Sequence, residues 1–381
     1  MSDLLNSFEQ VKPEMLEWFT HMHRNPELSM AEENTAAYIA DLVRSWGFEV
    51  ETGVGRHGVV ASLSNGSGGR SIGIRADFDA LPIEESNDLD YRSTVPGVAH
   101  LCGHDGHTTM LLAAGKYLAD TRNFTGTVRL IFQPGEETME GAPAMIADGL
   151  FERFPVDAVF AMHNMPGLAT GEFFFTGGDV MAAVDNWEIV ITGKGSHGAM
   201  PELGIDPVVV GSQLVMALQT IVARNIAPAN RAVVTVGAFL AGQAGNVVAH
   251  TATLRLSIRT TTPEDRENAL NRVRSLTHGI AEANGATAVI REGVPGAVLT
   301  NHEEETQFAL NVARDVFGED QAHFPGPTFL GSEDFAFMLQ KQAGSYLFIG
   351  NGDTPMVHHP EFTLDTGILP RGAAYWVALA E

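Results

Sequence analysis

The chain has 381 residues, a length at which one hydrophobic core usually gives way to two domains, and its formal net charge is −24. This charge argues against nucleic acid and anionic membranes as partners, because binding to phosphate relies on Lys and Arg. Hydrophobic residues make up 44% of the chain and charged residues 18%, a globular composition that argues against a disordered or fibrous protein.

The N-terminal segment gives no sign of export. Residues 1–19 are amphipathic and acidic, with no basic stretch before an apolar one, and no run approaches the roughly 18 apolar residues that span a bilayer. The only cysteine, Cys102, cannot form an internal disulfide. We therefore expect a soluble cytoplasmic protein in which Cys102 has some other purpose.

The first half of the chain alternates helical and strand patterns. Residues 31–46 carry apolar side chains at helical spacing, and residues 58–65 follow as a strand. Further strands are predicted over 70–77, 127–133 and 157–163, with helices over 108–121 and 142–154. The alternation predicts a largely parallel sheet with helices on its faces, and polar clusters fall at the strand exits, where such sheets place their sites.

The pattern changes at about residue 186. The predicted elements are a strand over 186–195, a helix over 206–225, strands over 231–242 and 246–260, a helix over 263–285 and a strand over 287–294. This β-α-β-β-α-β order is typical of ferredoxin-like domains. Helix and strand signals resume after about residue 300. We therefore predict one domain formed by residues 1–184 and 298–381, interrupted by a second domain over 185–297.

The segment HLCGHDGH places a thiol and an imidazole two residues apart in a Gly-containing loop. Cys102 and His104 can both turn toward one point there, and such donors suit Zn²⁺ or a similar divalent metal. The alternative is a buried structural cysteine beside a helix that is capped by Asp105 or Thr108.

Two further acidic segments follow predicted strands. Adjacent side chains on extended backbone point in opposite directions, so Glu136 and Glu137 are expected to differ in role, one binding metal and the other taking a proton from an acidified water. The alternative is a charged loop that starts a helix. Asp77 and Asp79 are either ligands or acceptors that fix an imidazole tautomer, and a helix cap is the competing interpretation.

Seven segments resemble, in the same order, the motifs of the dinuclear-metal amidohydrolases, a family that includes hippurate hydrolases, N-acyl-amino-acid aminoacylases and plant auxin-conjugate hydrolases. They are GIRADFDALPIEE, HLCGHDGHTTMLLAAGKYL, IFQPGEE, MHNMPG, GKGSHGAMPELGIDPV, GSEDFAFML and GNGDTPMVHHP. The resemblance runs from about residue 15 to the end. It implies a zinc-peptidase-like α/β catalytic domain, with a mixed, largely parallel sheet between helices, and an inserted ferredoxin-like α+β domain that serves as lid and dimerisation domain.

The resemblance also implies a set of site residues around two divalent metal ions per subunit, which are Zn, Mn, Ni or Co. The expected ligands are Cys102, which bridges the two ions, His104, Glu137, His163 and His358. Glu136 is the expected general base, and His359 is left as a neighbour. Asp77, Asp79 and His107 are expected to support the ligands without binding metal.

In the inserted domain the resemblance implies residues that act on the substrate. His197 is expected to steady the oxyanion, in some members from the partner subunit. Asn246 and Arg259 match positions that are used around the substrate, and a guanidinium suits a carboxylate. Four residues depart from the family pattern near specificity positions: Ala249, His250, Glu202 and Met165.

These observations predict a metal-dependent amidohydrolase that cleaves N-acyl or N-aroyl amino acids into a carboxylic acid and an amino acid, as a homodimer or homotetramer. One alternative is a dipeptidase or carboxypeptidase with the same metal centre, which substrate profiling distinguishes. A second is a thiol hydrolase with Cys102 as nucleophile beside His104 or His107, which would survive a chelator. A third is a non-catalytic metal-binding or scaffolding protein.

Overall fold

The structure, a computed structural model, describes residues 3–381, so the first two residues of the acidic N-terminal segment lie outside it. The α-helices of the described range are Asp3–Arg24 (α1), Glu33–Ser45 (α2), His104–Thr121 (α3), Gly141–Ala147 (α4), Leu150–Arg153 (α5), Pro207–Asn225 (α6), Pro263–Ala283 (α7), Glu303–Phe317 (α8), Phe335–Leu339 (α9) and Leu369–Ala380 (α10). The strands are Glu49–Val54 (β1), Gly58–Asn65 (β2), Arg70–Asp77 (β3), Gly126–Gln133 (β4), Ala158–Met165 (β5), Phe173–Phe175 (β6), Gly178–Met181 (β7), Ala183–Thr192 (β8), Ser196–His197 (β9), Ala232–Ala241 (β10), Val247–Val248 (β11), Thr251–Thr260 (β12), Thr287–Glu292 (β13), Leu299–Asn301 (β14), Ala322–His323 (β15) and Gly344–Gly350 (β16).

The chain divides into two compact units. The larger unit comprises residues up to 178 together with 300–328 and 334–381, and the smaller unit comprises 179–299 and 329–333. The short second piece of the smaller unit joins it through backbone hydrogen bonds, from Phe329 to the Val180 carbonyl and from Ala182 to the Gly331 carbonyl. This pairing joins residues about 150 positions apart in the chain. The prediction of a second domain over 185–297 was based on local sequence patterns, so it did not include residues 329–333.

The larger unit is built on an eight-stranded sheet in the order β1-β2-β4-β3-β5-β16-β6-β15. Four of its seven neighbouring pairs are parallel, namely β4 with β3, β3 with β5, β5 with β16, and β6 with β15. Along the central strands β5 and β16 nearly every side chain is buried, which requires cover on both faces of the sheet. The predicted mixed, largely parallel α/β sheet is confirmed.

The parallel register brings the polar strand ends to one edge of this sheet. Asp77, the last residue of β3, lies opposite Gln133, the last residue of β4. His163 lies near the end of β5, opposite Phe348 of β16. The sequence segments that follow these strands therefore start from neighbouring points.

Helix α3 starts at the same edge and continues into the core. It is buried along most of its length, and Met110, Leu111 and Leu112 are each fully buried. Burial of each such side chain contributes about 1.5–3 kcal/mol. Because α3 packs against α1 and α10, its first turn is held firmly in place.

The smaller unit contains a four-stranded antiparallel sheet in the order β10-β12-β8-β13. The chain order β8-α6-β10-β12-α7-β13 is the predicted β-α-β-β-α-β sequence of elements. Leu214 and Leu218 of α6 and Val273 of α7 pack with sheet residues such as Leu254 in its core.

Helix α6 is, within residues 3–381, the one helix that is long and apolar enough to cross a membrane by length and composition. Its buried residues Val210, Leu214, Leu218 and Ile221 recur at helical spacing. That spacing is typical of a helix that packs on a sheet, so the apolar character of α6 has an explanation within the smaller unit.

Two predicted elements are wrong in extent. The predicted helix over 142–154 is two helices, because Gly149 has φ +82°, a left-handed conformation that ends α4. The predicted strand over 246–260 is interrupted after Val248, so that β11 pairs with β9 while β12 pairs with β8 and β10.

Candidate metal centre

Cys102 and His163 meet at the carboxyl edge of the large sheet. The Cys102 Sγ lies 3.4 Å from Nε2 of His163, and both residues are buried. The Nδ1 atom of His163 lies 2.6 Å from the backbone carbonyl of Asn164 and donates to it. This bond assigns the proton to Nδ1 and leaves the lone pair of Nε2 facing the thiol.

His104, the first residue of α3, is oriented in the same way by Asp79. Its Nδ1 donates to the Asp79 backbone carbonyl at 3.0 Å and to Oδ1 at 3.1 Å. Its Nε2 is buried and has no hydrogen-bond partner among residues 3–381. The carboxylates of Glu136 and Glu137 lie 4.0 Å and 3.9 Å from this atom.

Glu137 and His358 complete the cluster from distant parts of the chain. The Oε1 atom of Glu137 lies 3.2 Å from Nε2 of His358 without the alignment of a hydrogen bond, and it has no partner in the described part of the chain. His358 has φ +69°, a strained conformation for a residue other than glycine, and its backbone N–H donates to Leu101 at 2.7 Å. That bond places His358 beside Cys102.

These donor atoms form two overlapping groups. The donor atoms of Cys102, His104 and His163 lie within 4.8 Å of one another, and so do those of Cys102, Glu137 and His358. A buried imidazole nitrogen and a buried carboxylate oxygen that lack partners cost free energy, which a cation between them would offset. Thiolate, imidazole and carboxylate are also the donors that zinc and similar metals take. The residues of the two groups, which have Cys102 in common, therefore have the donor chemistry that would hold divalent cations.

Binding of such cations would change the protonation states of the side chains in the cluster. Burial, followed by the charge of Glu137, raises the pKa of the Cys102 thiol well above its usual value. Burial opposes protonation of His104, but the charges of Asp77 and Cys102 outweigh it and raise its pKa. Binding of a metal ion would favour the thiolate and the neutral imidazole, so it is expected to release protons.

Asp77 and His107 form a buried hydrogen-bonded pair next to the donor residues. His107 Nδ1 lies 2.6 Å from Asp77 Oδ1, and His107 Nε2 lies 2.7 Å from Oδ1 of Asn164. Arg75 donates to the other oxygen of Asp77 at 2.7 Å. Burial alone would raise the pKa of Asp77, but Arg75 first and then His104 hold it well below its usual range. Both ring nitrogens of His107 thus have partners outside the two donor groups.

Asn164 was not among the predicted residues. Its backbone carbonyl orients His163, its side chain holds His107, and its Oδ1 lies 2.1 Å from the position that a Cβ on Gly103 would take. Its position directly after His163 in the MHN segment is the sequence signal that could have identified Asn164 as a site residue.

The prediction that Glu136 and Glu137 differ in role assumed that both lie on extended backbone, and this assumption is wrong. Residues 136–139 form a turn, closed by a bond from Met139 N–H to the Glu136 carbonyl, and not an extended strand. Both carboxylates therefore approach the same nitrogen of His104. Their neighbours differ instead: Glu137 also reaches His358, and its N–H donates to Asp79 at 3.0 Å.

The remaining predicted residues lie in the smaller unit. His197, in β9, is exposed, and Gly198 N–H donates to the Asn246 carbonyl at 2.8 Å, so His197 and Asn246 are neighbours. Arg259 donates to the carbonyl of Leu330 at 2.7 Å. It lies eight residues along β12 from Thr251, roughly 26 Å from the strand end that adjoins β11.

The departures from the family motifs fall in both units. Met165 is buried at the end of β5 in the larger unit, 7% exposed. Glu202 and His250 are exposed in the smaller unit, and Ala249 is half-buried. His359 receives a bond from the Glu361 N–H, which forms a local turn.

Comparison with known proteins identifies the family. The model of Peptidase family M20/M25/M40 matches residues 73–381. The chain is 40% identical over 378 residues to hippurate hydrolase from Campylobacter jejuni, covering 99% of this chain and 97% of that protein. It is 38% identical over 346 residues to N-acetyl-L-cysteine deacetylase from Bacillus subtilis, covering 91% of this chain and 82% of that protein.

A solved structure agrees with these relatives. The Bacillus subtilis protein YXEP, described as a dinuclear metal binding peptidase from the M20 family, superposes with a TM-score of 0.84 at 31% identity, covering 98% of both chains. The resemblance inferred from the seven motifs is confirmed, and so is the class of the enzyme, a metal-dependent amidohydrolase. The chain belongs to Peptidase family M20/M25/M40.

Proposed function

We propose that the protein hydrolyses the amide bond of N-acyl or N-aroyl amino acids, releasing a carboxylic acid and an amino acid. The observation that carries this proposal is the pair of donor groups around Cys102 with the carboxylate of Glu136 4.0 Å from His104. The names of the hippurate hydrolase and N-acetyl-L-cysteine deacetylase relatives support this substrate class.

The proposed metal ligands are Cys102, His104, Glu137, His163 and His358. Two divalent cations, which we propose to be Zn, Mn, Ni or Co, would acidify a water molecule and polarise the substrate carbonyl when bound. Asp79 holds His104 in the tautomer that presents Nε2, and the Asn164 carbonyl does the same for His163.

Glu136 is the proposed general base. The residue is 7% exposed and its carboxylate lies beside the donor cluster, so it can take a proton from the attacking water and pass it to the leaving nitrogen. His197 is the proposed donor to the oxyanion, and Asn246 and Arg259 are proposed to contact the substrate. For Arg259 this requires exchange of the Leu330 carbonyl for a substrate carboxylate.

The test is release of glycine from hippurate by the metal-loaded protein, measured beside a panel of N-acetyl amino acids and dipeptides. We expect the acyl amino acids to be cleaved with the higher kcat/KM. A preference for dipeptides or for C-terminal residues of peptides would instead favour the dipeptidase or carboxypeptidase alternative. Glycine release that persists after complete chelation would favour the thiol hydrolase, because Cys102 would then act as nucleophile without a metal.

We also propose that the enzyme works in the cytoplasm as a homodimer or homotetramer formed through the smaller unit. Val209 and Met216 of α6 are 51% and 71% exposed, and Leu240 of the edge strand β10 is 54% exposed. Exposed apolar side chains of this kind mark interaction surfaces. Light scattering of the wild type and of Met216→Glu tests this, and a monomeric wild type contradicts it.

A further inference from the structure

Glu32 is a buried carboxylate that the proposed chemistry does not use. Its side chain is 0% exposed, although it lies only one residue before the first residue of α2. At this position a short polar side chain such as Asp or Ser ordinarily accepts hydrogen bonds from the first N–H groups of its own helix. Glu32 makes no such bond.

The start of α2 is capped by a different residue. Glu27 accepts from the Thr35 N–H at 2.7 Å and from the Thr35 hydroxyl at 2.8 Å, and its other oxygen accepts from Asn34. Helix α2 therefore does not need the carboxylate of Glu32 as a cap, and that carboxylate has to be explained by other contacts.

The carboxylate of Glu32 turns toward the turn that holds the proposed general base. Its Oε1 accepts from the Gly135 N–H at 2.8 Å and from the Met30 N–H at 2.8 Å. Gly135 directly precedes Glu136. It has φ +61°, and a Cβ there would lie 2.5 Å from the Sδ of Met30, so the turn is packed directly on this segment.

A second carboxylate holds the other side of the same turn. The Glu137 N–H donates to Asp79 Oδ2 at 3.0 Å, and Ser29 donates to the same oxygen at 2.7 Å. The backbone N–H groups of the two residues that flank Glu136 are thus each bound by a buried acceptor, Gly135 by Glu32 and Glu137 by Asp79. Bonds of this kind to a charged acceptor are the stronger class of protein hydrogen bonds.

We propose that Glu32 is a positioning residue that fixes the turn carrying Glu136, so that the carboxylate of Glu136 is held in place for proton transfer. This inference rests on the proposed function of Glu136 as base. Both bonds go to Oε1, and Oε2 is buried without a partner among residues 3–381. Burial, followed by the charge of Asp79, raises the pKa of Glu32 to about 7, so that above this pH the carboxylate is charged and both of its bonds are charge-assisted.

Three variants separate positioning from general stability. Glu32→Met keeps an unbranched side chain of similar length and removes the acceptor oxygens, whereas Glu32→Gln keeps an acceptor oxygen. Glu27→Gln is the matched control, since it weakens the cap of α2 without touching the turn. We expect Glu32→Met to lower kcat about tenfold to hundredfold, which corresponds to the loss of charge-assisted hydrogen bonds, with KM changed less than about threefold. Glu32→Gln and Glu27→Gln should stay within about threefold of the wild-type kcat.

A second measurement needs no turnover. In metal-free protein, amide hydrogen exchange of residues 135–140 should accelerate at least about tenfold in Glu32→Met and stay unchanged in Glu27→Gln. If Glu32→Met does not fold, Gly135→Ala is the second variant. Its added Cβ would clash with Met30 and displace the same turn, so it should give the same two results. Wild-type kcat together with wild-type exchange in the folded variant overturns the inference, and so does an equal loss of kcat in Glu27→Gln.

The exchange experiment keeps this inference distinct from the proposed function. If the wild type cleaves no acyl amino acid, the proposed function fails, while protection of the turn by Glu32 is still decided by exchange. If the wild type is active and Glu32→Met matches it in both measurements, only the positioning inference fails.

Discussion

Glu136 and Glu137 are adjacent in sequence but differ in what surrounds them. Both carboxylates stand about equally far from His104 Nε2, at 4.0 Å for Glu136 and 3.9 Å for Glu137, but Glu137 also contacts His358 and is anchored through its own N–H to Asp79. The contact with His358 suits Glu137 as a ligand, and Glu136 is then the carboxylate proposed as base.

Replacement of the proposed base tests this division. We expect Glu136→Gln, which keeps the shape of the side chain but cannot accept a proton, to lower kcat by about 10²- to 10⁴-fold while the metal content stays at the wild-type level. Metal analysis and steady-state kinetics measure both. Glu140→Gln is the control, because Glu140 is exposed at the end of the same turn. Turnover of Glu136→Gln near the wild-type value would show that another group is the base.

Asp79 is bonded to one proposed ligand of each donor group. It accepts from His104 Nδ1 and from the Glu137 N–H. We expect Asp79→Asn to weaken metal affinity about 10- to 100-fold, because an amide cannot accept both bonds while keeping its NH₂ group satisfied. Competition with a chromophoric chelator measures the affinity. Asp41→Asn, at an exposed surface pair with Arg44, should leave it unchanged. Equal affinities in the two variants would contradict this role.

At the residue scale the sequence predicted the donors but not all of their supports. The structure brings together the side chains of the predicted donors, which belong to sequence segments with a recognisable composition. These donors are Cys102, His104, Glu137, His163 and His358. Glu32 and Asn164 were missed, because their functions arise from contacts that local sequence does not contain. Glu32, for example, meets a turn about 100 residues away.

At the scale of secondary-structure elements, the start of α3 depends on Gly103, the residue directly before this helix. Gly103 has φ +100°, and a Cβ there would lie 2.1 Å from Oδ1 of Asn164. The residue thus needs both a left-handed backbone and the absence of a side chain. Through it, the chain changes direction between Cys102 and His104.

Substitution of this glycine separates the two requirements. Gly103→Ala should lose about 1–3 kcal/mol of unfolding free energy from backbone strain, plus the cost of the clash with Asn164, and should also bind metal more weakly. Gly97→Ala is the matched control, since Gly97 has φ +73° with no atom within 4 Å of the added Cβ. Urea unfolding and metal titration should therefore show strain alone in Gly97→Ala. Indistinguishable results for the two variants would exclude the contact with Asn164 as a cause.

Elements with a clear local pattern were predicted to the residue. Strands β2 and β3 occupy the predicted ranges 58–65 and 70–77, because short apolar stretches bounded by polar residues define them locally. The strands β6 and β15 have three and two residues and exist only through pairing with distant partners. Such short strands carry too few positions to show a period.

At the scale of the whole molecule, a buried ionic group ties α1 to the start of α3. His23 lies 2.7 Å from Asp105 and 3.3 Å from Glu85, and all three side chains are buried. Burial favours neutral His23, but the two carboxylates outweigh burial and raise its pKa to about 9.

This group predicts a loss of stability in alkaline solution. The folded protein binds the His23 proton more tightly than the unfolded chain, whose pKa is 6.5, so the stabilisation is complete below pH 6.5 and is lost as the pH rises through about 9. Its full size is about 3 kcal/mol. The urea midpoint should fall over this interval in the wild type and change much less in His23→Gln. The exposed His21 provides the control, and a His23→Gln profile parallel to that of His21→Gln would contradict the assignment.

The wide spacing of the donors along the chain has a consequence for synthesis. His358 leaves the ribosome nearly two hundred residues after His163, a delay of about 10–40 s at ordinary elongation rates. During that interval the nascent polypeptide contains Cys102, His104, Glu137 and His163 of the proposed ligand set but lacks His358. We therefore predict that chains terminated before His358 bind less metal than chains that contain it, which a measurement of metal stoichiometry would show.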